Sequence, residues 1–302
     1  MNSVKQFFKS ESAVSTVVSF VLLLGLFVTV LAVFNAHYIP EWKADAEKAH
    51  MDDVYDDMSQ LKARADMLSL SSRLATSLNE DITVSLSIPI KMGGGDIPIV
   101  GPTKSSGVLS VNDSIYKVDI TGRNITNSMD DLITSDPYTT GNIRYTSNNG
   151  YYIDQTFTYE NGAVIVSQRE RSLMKLDPSI SIKNQSGNLL VDLTLMEIAG
   201  DRVVITSNGL EEIKLTSNDW VEEFTPTKNE SLTNLTISMN TSYPSAWAKY
   251  LNDSAKDAGL TYSVDYNVDE GDDYVVFNLN PSGGRIDFNL SKATVDAKVG
   301  TF

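Results

Sequence analysis

The chain has no cysteine and only two histidines in 302 residues. Without thiols there is no disulfide framework and no thiolate metal site. Both histidines, His37 and His50, fall in the first fifty positions. A Ser-His-Asp or Cys-His site therefore cannot be built within residues 51–302, and neither can a His-ligated zinc site. No G-x-S-x-G elbow, P-loop or H-E-x-x-H pattern occurs. Gly93-Gly94-Gly95 lies between strand-like runs rather than before a helix, so it reads as a loop and not a phosphate cradle. A carboxylate pair of the glycosidase kind stays formally open, but only because Asp and Glu are abundant. The expectation is that the chain is not an enzyme. Positive charge is scarce too: 24 Lys and Arg face 39 Asp and Glu, a net charge of −15. Phosphate backbones find no electrostatic footprint on such a chain, and nucleic acid is excluded as a main partner.

Long apolar runs are also lacking, with one exception. Val14 to Phe34, VSTVVSFVLLLGLFVTVLAVF, is 21 residues without a charge. As a helix it is about 31 Å long, enough to cross a hydrocarbon core of roughly 30 Å. It is longer than a secretory h-region, and Ala36-x-Tyr38 is a poor A-x-A cleavage site. It therefore reads as a retained membrane helix, with conventional removal as the alternative. Tyr38, Pro40 and Trp42 follow as an interfacial aromatic belt. Lys5 and Lys9 outweigh Glu11 in the preceding stub, so the positive-inside rule keeps that stub cytoplasmic and puts the C-terminal bulk outside. The lipid bilayer is thus the first expected partner.

The string Glu11-Ser12-Ala13-Val14-Ser15-Thr16-Val17-Val18 before that run resembles the N-terminus of archaeal type IV pilin-like proteins. In that family a short leader precedes an A-V-S-P-V-I-G-type start and a prepilin peptidase cuts just before the apolar segment. Mature helices then pack side by side with the C-terminal domain displayed outside. The resemblance implies processing at Ala13–Val14 and self-association through the N-terminal helix. Thr16 stands where the family usually has Pro, and Ser12 where a basic residue is frequent. Gly93-Gly94-Gly95-Asp96-Ile97-Pro98 and Asp154 to Ala163 are similar to uncharacterised ectodomains of archaeal pilin-like surface proteins, from which no activity transfers.

Beyond the run, Met51, Val54, Met58, Leu61, Ala65, Leu68, Ser72 and Ala75 recur three and four apart with no Gly or Pro between them. This heptad-like stripe predicts a helical stalk over 37–81, broken or bent near Pro40. The stripe packs either on its own downstream domain or against a neighbouring subunit. From Ile82 the period changes to two, as in Thr83 to Ile90, Ser114 to Ile120, Leu189 to Met196 and Tyr274 to Leu279, with Asn-Gly and Gly-Gly turns between many of the runs. Asn161-Gly162 is the clearest hairpin signal. One helix interrupts the strands, with Ser245 as its expected N-cap after Pro244, Trp247, Leu251, Ala255 and Ala258 on one face, and Gly259 at C′. Trp247 reads as a buried anchor.

The expected fold class is α+β: a transmembrane and stalk helix followed by a mainly β, sandwich-like ectodomain. The expected divisions are a leader over 1–13, a membrane helix over 14–36, a stalk over 37–81 and a β-rich domain over 82–302. That domain is either single or two subdomains meeting near Asp177-Pro178. No cofactor is expected except Ca²⁺, for which Asp269, Glu270, Asp272 and Asp273 around Gly271 supply hard oxygen ligands; a solvated acidic turn is the plainer reading. N-x-[ST] acceptors at Asn112, Asn124, Asn184, Asn229, Asn234, Asn240, Asn252 and Asn289 all fall on the outward side, as glycosylation would require. An Asn- and Thr-rich β-surface yields the same tripeptides. The reading is a pilin-like cell-surface structural protein. The alternative is a membrane-anchored binding or adhesion ectodomain, Ca²⁺-dependent if the acidic turn binds the ion, that never polymerises.

Overall fold

The computed structural model describes residues 3–80, 82–94, 96–97, 101–102, 105–124, 130–132, 137–225 and 231–300. Side chains are described from residue 16 onward, apart from those at 96, 102 and 130–132. The chain is α+β. Helix α1, Ser3–Val33, runs into a π-helical turn, Phe34–Tyr38, and then into α2, Ile39–Leu78. Pro40 does not break the helix. It has no N–H to give Ala36, and the ladder shifts by one residue so that the Ile39 N–H donates to the Phe34 carbonyl. Thr16 to Leu78 is consequently one helix of 63 residues. It ends in a Schellman turn: Asn79 is left-handed at φ 54°, and the Glu80 N–H closes on the Ala75 carbonyl at 3.0 Å.

The β-region forms two main sheets. In the larger, the C-terminal strand Ile286–Val299 lies between antiparallel Leu210–Phe224 and parallel Asn188–Ala199. Ser85–Lys91 extends one side and Ile180–Gln185 the other. A single pairing, Leu232 with Ile286, joins this array to a second group of strands centred on Leu232–Asn240, which pairs with Tyr116–Asn124 and Tyr274–Leu279. The smaller sheet is antiparallel, ordered Arg171–Leu176, Ala163–Gln168, Thr156–Glu160, Asn142–Asn148, Ser106–Val111 and Val203–Ser207. At Asp177-Pro178 the chain crosses from the smaller sheet to the larger, and Val203–Ser207 later returns to the smaller one. The Asn161-Gly162 hairpin forms with both turn residues at positive φ, 46° and 78°, and Glu160 opposite Ala163. That is the type I′ geometry the dipeptide favours.

Two apolar cores result. In one, the stripe on α2 meets residues from both sheets, including Ile88, Tyr145, Tyr159, Ile213 and Val295. In the other, α3 (Pro244–Asp257) packs Trp247, Leu251 and Ala255 against Ile237, Phe277 and Phe288. Ser245 is not its N-cap. Pro244 occupies the first turn, so the cap position falls to Tyr243, whose N–H is taken by the Thr241 hydroxyl at 3.0 Å, while Ser245 hydrogen-bonds Glu270. Gly259 follows the helix at φ 77°, as a C′ residue should.

Glu160 anchors α3 from below. Its buried Oε1 accepts from Trp247 Nε1 at 2.8 Å and from the Thr241 hydroxyl at 2.6 Å. Burial raises its pKa above 4.5, against the lowering effect of those two donors and of Arg144. A carboxyl whose folded pKa is raised holds its proton longer when folded, so its contribution is full at low pH and is lost as pH rises through the folded value. Glu160→Gln keeps an oxygen for both donors and removes the charge. Thermal unfolding of the detergent-solubilised protein should show the variant gaining over wild type as pH rises from about 4.5 to 7.5, with little difference below. A variant equally destabilised at every pH would contradict the burial argument.

Candidate functional site

Among the described residues of α1, the large apolar side chains from Val17 to Val33 are all exposed. On α2, by contrast, Val54, Met58, Leu61, Ala65 and Leu68 are fully buried in the β-domain. The stripe seen in sequence therefore packs on its own domain. The candidate functional element is this one helix, half bare and half seated, with the π-turn at the junction. That turn puts Phe34, Tyr38 and Trp42 together, Phe34 lying 5.9 Å from Tyr38 and 5.4 Å from Trp42 between ring centroids. One turn later the β-domain begins: Lys43 sits over the Tyr151 ring, 4.8 Å from its centroid.

Polar groups fix the seat. Glu47, 1% exposed, accepts three backbone N–H groups from one loop: Gly150 at 3.0 Å, Tyr151 at 2.7 Å and Tyr152 at 2.7 Å. A carboxylate with three backbone donors is strongly and directionally held. His50 Nε2 lies 3.1 Å from the Tyr145 hydroxyl, which donates to the Met92 carbonyl at 3.3 Å. Asp57 accepts the Lys91 N–H at 3.0 Å, and Asp53 pairs with the Lys91 ammonium at 2.9 Å. Arg64 donates to the Ser87 carbonyl. Burial lowers the His50 pKa, Asp53 and Glu47 acting against it and Lys91 with it. Burial raises that of Asp57, with the Lys91 N–H opposing. The sequence marks His50 as one of two histidines, and Asp53, Asp57 and Arg64 as polar positions between those of the stripe, without indicating their partners. Nothing local to Glu47 signals a loop 103 residues away.

The other sequence-predicted residues are scattered. Ala13 and Val14 lie within α1, their side chains outside the described residues. Asp269 and Glu270 are successive residues of the strand Tyr266–Glu270 and so face opposite sides of it, and Glu270 is engaged by Ser245. Among the described residues no three His, Asp or Glu side chains are placed to share a cation. Asn112 is left-handed and donates to the Gly200 carbonyl at 2.8 Å. Asn252 accepts from the Tyr266 hydroxyl, and Asn289 donates to Asp192. Asn240 is exposed, but the Thr241 of its tripeptide is buried against Glu160. Asn124 and Asn234 lie in strands, and Asn229 lies outside the described residues. Asn184 sits exposed at a hairpin tip, with Gln185 and Ser186 exposed beside it.

Comparison with known proteins gives one assignment. The family of unknown function DUF7289 matches residues 97–297, which is most of the β-domain and two-thirds of the chain; the chain belongs to that family. No curated protein and no solved structure matches it.

Two outcomes test the seat. Glu47→Gln keeps an oxygen for the Tyr151 and Tyr152 N–H groups but turns an amide N–H toward that of Gly150, and should cost about 1–3 kcal/mol, seen as a lower Tm in detergent, despite its near-identical shape. For His50 the folded pKa lies below 6.5, so the unfolded state binds the extra proton and stability falls as pH drops through that value. Between pH 7.5 and 5 the wild type should lose Tm relative to His50→Gln. A pH-independent difference would show that burial does not hold His50 neutral.

Proposed function

We propose that this DUF7289 member is a membrane-anchored, pilin-like surface protein without catalytic activity, working by assembly. One helix, Thr16–Leu78, is long and apolar enough to cross a membrane, and it is the single candidate span among the described residues. The reading places α1 in the bilayer with its stub cytoplasmic, and then against the same helix of neighbouring copies, with the β-domain displayed outside. The observation that carries it is the join: a bare apolar helix enters the β-domain's core with no linker. The N-terminal likeness to archaeal type IV pilins, the basic stub and the outward-lying sequons support the same arrangement. Processing at Ala13–Val14 belongs to this proposal.

Gly25 supplies the test. A Cβ there meets nothing within 4 Å, so the isolated chain leaves open space at that position. Leu is at home in hydrocarbon, but helices that pack closely do so through small residues such as Gly25 and Ser19. Full-length wild type should stay with membranes through a high-salt wash and show higher-order species on cross-linking. Gly25→Leu should insert and fold as wild type does and lose the species larger than a dimer. Release by salt alone would end the anchoring claim. Wild type with no higher-order species would favour a lone anchor carrying a binding domain.

A further inference from the structure

Helix α2 carries a second apolar stripe that the β-domain leaves bare. Met67, Leu70, Leu74 and Leu78 follow one another at steps of three, four and four, so they share one helix face. They are 60%, 58%, 62% and 64% exposed. Leu68 and Ala75, interleaved with them, point into the core. The two stripes therefore occupy roughly opposite sides of the helix. Four adjacent aliphatic side chains at such exposure make an apolar patch on the order of 400 Å², a size that marks interaction sites on soluble surfaces.

We propose that this stripe pairs with the same stripe of a second copy of the chain, side by side and parallel. The inference rests on the anchoring reading above, and that anchoring is what selects the occupant. Met67 lies 33 residues beyond Phe34, or about 50 Å of helix, so lipid does not reach the patch. A second copy in the same bilayer, held by the same helix without a linker, presents the same stripe at the same height and in the same direction. Stripe then meets stripe about a two-fold axis along the membrane normal, an isologous contact. Alone, about 400 Å² per copy is half of what a standard stable interface buries. Confinement to one membrane raises the effective concentration and makes up the shortfall.

Charge limits the contact to this stretch. Nearer the membrane the same face carries exposed Asp45, Asp52 and Asp56. Two helices crossing at about 20° through Leu70–Leu74, about 9 Å apart there, are about 14 Å apart at Asp52. Repulsion between these carboxylates opposes closer approach below the stripe and keeps the contact at Met67–Leu78. The pair is thus separate from any contact between the apolar helices, which lie further down the same divergence.

Because the chain has no cysteine, single cysteines report the contact directly. Full-length Leu70→Cys, Leu74→Cys and, as the control on the far side of the same helix, the exposed Thr76→Cys are placed in the protein's own membranes, salt-washed and oxidised. Leu70→Cys and Leu74→Cys should give a disulfide-linked species of twice the monomer mass, severalfold above Thr76→Cys. Adding Leu74→Glu to Leu70→Cys should remove it while leaving Tm unchanged. Membrane-resident protein with no linked species, linking equal at Thr76→Cys, or linking that survives Leu74→Glu would overturn the pair and leave the anchor standing. Protein lost to the salt wash would overturn the anchor and the pair together.

Discussion

A helix that is bare and apolar at one end and buried at the other ties two solvents together. From Thr16 to Val33 the side chains face outward with nothing to cover them, and from Met51 to Ala75 the same helix fills the space between two sheets. Burying one large apolar side chain is worth about 1.5–3 kcal/mol, so a run of more than a dozen outweighs the whole 5–15 kcal/mol by which a domain is ordinarily stable. The environment of α1 is therefore decided by α1 alone. The β-domain goes where that helix goes, because it cannot release α2 without opening its own core.

The polar contacts on α2 serve the same end. An apolar stripe alone lets a helix slide or roll by a turn. Glu47, held by three N–H groups of the Gly150–Tyr152 backbone, and Asp57, held by the Lys91 N–H, each have one geometry. They fix the helix in register along its length, beginning within a few turns of the aromatic residues at the π-turn. Movement of α1 is thereby passed to the β-sheets as a rigid displacement rather than absorbed.

Much of this was legible in the residues, for physical reasons that also mark where legibility stops. The long apolar run, the buried stripe from Met51 to Ala75 and the Asn161-Gly162 hairpin are local patterns, and local periodicity or turn chemistry suffices to read them. Proline removes a donor and so predicts a helix broken or bent near Pro40; the helix instead absorbs the loss as a single π-turn and runs on. Residue type predicts a cap at Ser245, yet Pro244 before it moves the cap to Tyr243 and leaves Ser245 to bind Glu270. Glu47 and Glu160 looked like two of many surface acids. Their partners lie 103 and 87 residues away, at Gly150 and Trp247, and no spacing rule spans that distance. The second stripe on α2 was hidden by the first: apolar positions on two faces of one helix look like a uniformly mixed sequence until burial separates them.

The central claim is that the apolar helix and the core helix are a single rigid element through the π-turn. The cysteine-free sequence makes it measurable by placing spin labels at Leu26→Cys and Ala49→Cys in liposomes and reading the distance between them by pulsed electron resonance. A continuous helix through the π-turn predicts one narrow distribution centred near 34 Å, at about 1.5 Å per residue. A broad distribution, or a maximum many ångströms shorter, would mean a hinge near Pro40 and would contradict the account.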